Sequence, residues 1–206
     1  MKILFILRVS ILFLFLNFYV SCDDHNSHGD HHHHGEDPML AASEGSNAGL
    51  FELGSSWKTE SNQTIFLKHF QGSPFVISMF YASCQSVCPR LVADMELLAK
   101  KIKDKTGKDS RMVLVSFDSE KDNPNVLNAY KKKMKLGESW TFLSGNEEDV
   151  RLLSVVLGIN YKKISNGEFN HSAVYNLVSK NGWVVSRVEG VGSNTDALVT
   201  EYQKLQ

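Results

Sequence analysis

"PFVISMFYA" (Pro74–Ala82) passes almost without a break into "SCQSVCPRLVADMELLAKKI". The first stretch is short, apolar and rich in β-branched and aromatic residues, the pattern of a strand buried on both faces. In the second, Leu91, Met95, Leu98 and Ile102 recur at spacings of 4, 3 and 4, which predicts a helix with one apolar face. "RMVLVSFD" (Arg111–Asp118) then reads as another buried strand. Strand, helix and strand in immediate succession confine the chain to α/β architectures.

The rest of the globular part extends that alternation. "NPNVLNAYKKKMKL" is a helix with Asn123 as N-cap and Pro124 at its first position. "WTFLSG" is a third strand, and "NEEDVRLLSVVLGI" a helix capped by Asn146, with acids in its first turn and Gly158 ending it. "SAVYNLVSKNGWVVSRVEG" alternates around Asn181-Gly182, a hairpin signal, and "NTDALVTEYQKL" closes the chain as an amphipathic helix. Upstream, "SSWKTESNQTIFLKHFQGS" supplies an N-terminal hairpin. The expected fold is α/β, with a mixed central sheet flanked by helices. Its element order, with a cysteine pair just after a strand, resembles the thioredoxin-like fold.

The first 48 residues read differently. Lys2 and Arg8 precede the nearly apolar Val9–Val20, and Ser21-Cys22 follows, which describes a signal peptide over residues 1–21. Arg8 interrupts the apolar stretch, which disfavours the alternative of an uncleaved membrane anchor. "YVSC" resembles a bacterial lipobox, which makes Cys22 the expected acylated N-terminus, although Tyr19 stands where that pattern prefers an aliphatic residue. Residues 22–48 are polar and nearly free of aromatics, a tether unable to bury enough surface to fold, and the folded domain is expected over 49–206. The tether holds His25, His28, His31, His32, His33 and His34 beside carboxylates, a composition that serves either loose metal capture or a plain spacer. Loss of Lys2 and Arg8 leaves 20 basic against 23 acidic residues, a balance without the footprint of a nucleic-acid partner.

An acylated Cys22 leaves Cys84 and Cys88 as the only pair among three cysteines. At i and i+4 they project from one helix face, and a helix starting near Val87 or Cys88 favours thiolate at its N-terminus. Thiolates serve a redox couple and a soft-metal site alike, whereas a disulfide staple over so short a loop restrains little. A metal needs a further donor. Of the two histidines outside the tether, His69 falls in a turn, while His171 starts a strand beside the cysteine corner. Two thiolates and one imidazole make a soft, open set suited to Cu(I), and to Cu(II) with a further ligand.

Cys84-x-x-x-Cys88-Pro89, "VSFDSEKDNP" and "NHSAVYNLVSKNG" together resemble the three signature segments of the SCO/SenC copper proteins, in matching order over roughly residues 50–205. The resemblance implies a thioredoxin-like copper chaperone that helps assemble the dinuclear CuA centre of cytochrome c oxidase, or a thiol-disulfide reductant of that site. It also implies copper ligands at Cys84, Cys88 and His171, with the copper subunit of the oxidase or a related cuproenzyme as partner. The lipid membrane is reached through the N-terminal anchor on the exported face. Asp118 and Asp122 match the family's D-x-x-x-D pattern, and Asp118 reads equally as a cap at a strand end. Gln85 and Ser86 depart from the Pro-Asp that commonly follows the first cysteine, which bears on the client and not on the ligands.

Overall fold

The computed structural model describes residues 49–206. The expected signal segment, Cys22 and the six histidines of the expected tether lie outside the described residues. Strands β1 (Ser56–Thr59) and β2 (Thr64–Phe66) form the N-terminal hairpin; β3 (Phe75–Phe80), α1 (Val87–Thr106), β4 (Arg111–Ser116), α2 (Pro124–Lys133) and β5 (Trp140–Ser144) follow. Then come α3 (Glu147–Leu157), a ribbon of β6 (Tyr161–Lys163) and β7 (Phe169–His171), and finally β8 (Val174–Val178), β9 (Val184–Glu189) and α4 (Asp196–Lys204). The large sheet has the order β2-β1-β5-β4-β3-β8-β9, with β3, β4 and β5 parallel and the other pairings antiparallel. This is the expected α/β, thioredoxin-like architecture, with the N-terminal hairpin joined to the sheet through β5.

The helices form where the sequence places them. Leu91, Met95, Leu98 and Ile102 of α1 are all fully buried. Asn123 accepts hydrogen bonds from the amides of Asn125 and Val126, satisfying two donors at the start of α2, and Asn146 accepts from the Asp149 amide at α3. Gly107 and Gly158 end α1 and α3 with φ of 71° and 61°. Helices α1 and α2 lie on one face of the sheet: Tyr175 of β8 donates to Asp94 of α1, and Phe80 of β3 packs on Tyr130 of α2. Arg187 points to the other face and lies over Gly158, at the end of α3. No helix among the described residues is long and apolar enough to cross a membrane.

The Asn181-Gly182 turn also receives the incoming chain. Gly182 holds φ of +89°, and a Cβ there would stand 2.5 Å from the Phe51 ring. The Leu50 amide donates to the Gly182 carbonyl. Gly182→Ala is expected to cost more than the roughly 1 kcal/mol of an unfavourable backbone alone, because Phe51 must also move. The thermal midpoint should fall by about 2–4 °C for each kcal/mol, read by circular dichroism.

One expectation needs correction. His171 does not start the strand beside the cysteines; it ends β7, in a separate two-stranded ribbon, three residues before β8 begins. The ribbon forms because Asn166-Gly167, with Gly167 at φ of 82°, turns the chain back between Tyr161 and His171. His69 lies in a short 3₁₀ turn and is exposed, as expected.

Candidate metal centre

β3 delivers the chain to the cysteines at its C-terminal end, and α1 begins at Val87, between them. The Cys88 amide donates to Cys84 Sγ at 3.3 Å, so this sulfur takes a place at the start of α1 that a side-chain oxygen normally holds. Ser86, in the N-cap position, makes no side-chain capping bond, and its hydroxyl lies 4.0 Å from the same sulfur. Both thiols are free: Cys84 is 7% exposed and Cys88 fully buried.

The two sulfurs differ in acidity. Burial opposes ionisation of Cys84, yet the amides of Cys88 and Ser86 outweigh it and hold that thiol below its ordinary range. Burial pushes the Cys88 thiol far up, with the nearby Cys84 and Asp122 charges adding to it. Iodoacetamide at pH 7 is therefore expected to label Cys84 at least ~10 times faster than Cys88, resolved by peptide mass spectrometry.

β7 brings in His171, whose Nε2 lies 3.6 Å from Cys88 Sγ. Its Nδ1 is 3.1 Å from the Ser172 carbonyl, which only accepts, so Nδ1 carries the proton and Nε2 presents its lone pair to the sulfurs. Burial lowers the imidazole pKa, with the Ser172 bond opposing. An aromatic wall supports the ring: Phe117 at 4.9 Å between centroids, Tyr81 edge-on at 6.0 Å, and Tyr161 stacked on Phe117 at 4.9 Å. One donor atom from each of Cys84, Cys88 and His171 lies within 4.8 Å of the other two. Two sulfurs and a neutral imidazole so close together form a soft donor set that one metal ion can bridge.

Asp118 and Asp122 stand outside that triad. Asp118 acts as the cap at the end of β4: its side chain accepts from the Lys121 amide at 3.2 Å, and its carbonyl accepts from the Asp122 amide. Asp122 is 2% exposed, and one of its oxygens accepts from the Ala82 amide at 2.8 Å and the Ser116 hydroxyl at 2.5 Å. It thereby ties the loop after β4 to the backbone two residues before Cys84. Burial raises its pKa, against the Ser116 and Ala82 bonds. Tyr81, Ser116, Phe117 and Phe169 are not ligand types, although "SFD" and "EFN" each set an aromatic residue between polar ones at the site.

Residues 47–205 match the SCO1/SenC family. The chain spans 72%, 54% and 52% of the length of three curated relatives. Its fold is that of Arabidopsis thaliana ScoI with copper bound, with a TM-score of 0.66 at 22% identity over 73% of this chain and 96% of that one. It is similar to a SCO1/SenC family lipoprotein of Bacillus anthracis, with a TM-score of 0.66 at 24% identity, covering 73% and 91%. It is likewise similar to BsSco, a member of the Sco family of cytochrome c oxidase assembly proteins in which a disulfide switch was identified (TM-score 0.64, 22% identity, 73% and 90% covered).

Proposed function

The chain belongs to the SCO1/SenC family, and on that premise we propose that it is a membrane-tethered copper chaperone, delivering copper to the CuA-type site of a respiratory oxidase during assembly. Copper is its cargo, held through Cys84, Cys88 and His171. The observation that carries this reading is the convergence of two reduced sulfurs and an imidazole nitrogen within 4.8 Å. Thiolate and imidazole donors select Cu(I), and three of them leave the ion open to an incoming ligand of the client. The copper subunit of the oxidase, or a related cuproenzyme, is that client. Cleavage before Cys22 and acylation of its thiol place the domain on the exported face of a membrane, with residues 22–48 as tether and 49–206 as the copper-binding domain. Reports of copper in the Arabidopsis relative and of a lipoprotein in the Bacillus anthracis relative support both parts.

Anaerobic titration of the reduced chain with Cu(I) against a chromophoric competitor tests the assignment. One equivalent should bind to the wild type and none with comparable affinity to Cys84→Ser or Cys88→Ser. Equal binding by the serine variants would rule out the dithiol as carrier.

The unequal thiols favour a second reading, thiol-disulfide exchange with the same client. The Cys84 thiolate attacks a client disulfide, forming a mixed disulfide and releasing one client thiolate. Cys88 then loses its proton and attacks the Cys84 sulfur, which frees the second client thiolate and leaves a Cys84–Cys88 disulfide. Two electrons pass from the dithiol to the client. Cys88→Ser should trap the mixed disulfide, seen on non-reducing gels, and Cys84→Ser should not.

A further inference from the structure

From the topology and the charge distribution we infer that the end of the domain opposite the metal site is a docking surface for anionic lipid headgroups. The inference rests on the proposed anchor at Cys22 for bringing that surface to a membrane.

The two ends are fixed by strand register. Phe75, Arg111 and Trp140 start β3, β4 and β5, and the pairings Phe75↔Arg111 and Met112↔Trp140 align those starts. Val178, the last residue of β8, pairs with Phe75, so the turn to β9 lies at the same end. The chain enters the fold there, through the bond from Leu50 to Gly182. Cys84, Asp118 and His171 lie at the opposite end, after β3, after β4 and before β8.

The entry end is basic. The Lys103–Asp109 ion pair, at 2.9 Å, brings the end of α1 to the start of β4, where Lys105, Lys108 and Arg111 are exposed. Lys131 Nζ donates to the Trp140 carbonyl, which brings the end of α2 to the start of β5 with Lys132, Lys133 and Lys135 exposed. Lys180 adds a further exposed charge in the β8–β9 turn, and its carbonyl accepts from the Gly72 amide. None of these seven cations has an ion-pair partner among the described residues, and Glu52 and Glu138 are the neighbouring acids likewise unpaired. Lys105, Lys132 and Lys133 also complement helix C-termini, but Lys108, Arg111, Lys135 and Lys180 lie outside any helix. Lys135 even holds φ of 56°, which glycine or asparagine adopts at lower cost. At the metal end Lys163 pairs with Glu120 and Lys121 with Asp118, which leaves Arg90 and Lys162 as scattered cations without an ion pair among the described residues.

Twenty-seven residue steps from Cys22 to Gly49 reach at most about 97 Å, and a flexible chain of that length spans roughly 30 Å, so an acylated chain returns this face to the headgroups repeatedly. Basic side chains near an anionic leaflet each gain attraction that fades within a Debye length. Seated this way, the domain holds the metal site outward, toward a client.

The test uses the full mature chain with Cys22→Ser, which carries no acyl group, in co-sedimentation with phosphatidylglycerol-containing or pure phosphatidylcholine vesicles. Binding to the former alone is expected, weakening steeply with salt. Replacing Lys132, Lys133 and Lys135 by Gln should lower it roughly fivefold per lysine, on the order of 100-fold together. Lys162→Gln at the metal end should change little. No preference for phosphatidylglycerol, or equal loss in the Lys162 control, overturns the inference. It is also overturned if binding appears only after Asp23, Asp24, Asp30, Glu36, Asp37 and Glu44 are made amides, which assigns the face to the acidic tether instead. Mass spectrometry of the wild-type chain decides separately whether Cys22 is acylated, so failure of the anchor and failure of the lipid face are distinguishable.

Discussion

His171→Ala is expected to lower the Cu(I) affinity of the reduced chain by more than the roughly 10–100-fold that loss of an outer partner costs, because a donor atom is removed. Two sulfurs remain within reach of one ion, so binding should weaken and not vanish, and the Cu(II)-thiolate absorption should shift. Unchanged affinity and spectrum would falsify the three-donor site. The same variant has a signature in stability. Burial holds the folded-state pKa of His171 below its ordinary value of 6.5. Above 6.5 the ring is neutral folded and unfolded; as pH falls below 6.5 the unfolded chain takes up the proton first, and stability is lost until the folded pKa is passed. Urea midpoints followed from pH 8 to pH 5 should therefore decline more in wild type than in His171→Ala.

Asp122→Ala is expected to be the most destabilising single change near the site. It strands the half-buried Ala82 amide and the buried Ser116 hydroxyl, each worth about 1–3 kcal/mol without a partner, for a total of about 2–6 kcal/mol. The loop that presents Cys84 loses its tie to β4 at the same stroke, so copper affinity should fall with stability. Asp122→Asn separates the two roles of the carboxylate. A side-chain carbonyl still accepts from Ala82, while the charge that opposes ionisation of Cys88 is gone. Because the folded pKa of Asp122 is raised, the wild-type carboxyl contributes stability in acid that is lost as pH rises through that folded value. Denaturant unfolding at several pH values should show that loss in wild type and not in Asp122→Asn. A variant Asn as unstable as Ala would remove the tie as the explanation.

The α/β order was legible because each element carries its own local instruction. Asn123-Pro124, Asn146 and Gly158 mark helix ends by backbone chemistry that tertiary packing does not override. Cys84, Cys88 and His171 were legible as donor types, and the resemblance to a family joined them. The placement of His171 was not. Tyr161–Lys163 and Phe169–His171 are too short to register as strands, and the Asn166-Gly167 turn between them lacks the long alternating runs that flank Asn181-Gly182. The aromatic wall was invisible for a different reason: Tyr81, Phe117, Tyr161 and Phe169 come from separate segments, and an aromatic at a strand end predicts core in general. The unequal acidity of the two thiols also lay beyond a linear reading. It arises from the deeper burial of Cys88 and from the amides of Cys88 and Ser86 at Cys84, which depend on where α1 takes its first turn.

The bond from the Leu50 amide to the Gly182 carbonyl has a mechanical side. Any pull transmitted along residues 22–48 meets the fold first at this contact, where the strip of residues 49–55 lies outside the sheet ladder. The strip can peel before a strand is sheared. The Phe51 ring, stacked on Phe75 at 6.4 Å, would lift away with it, at the end of β3 remote from the cysteine loop. With the chain anchored at Cys22 as proposed, agitation of the entering end would first loosen the Leu50–Gly182 contact, at the far end of the sheet from the sulfurs.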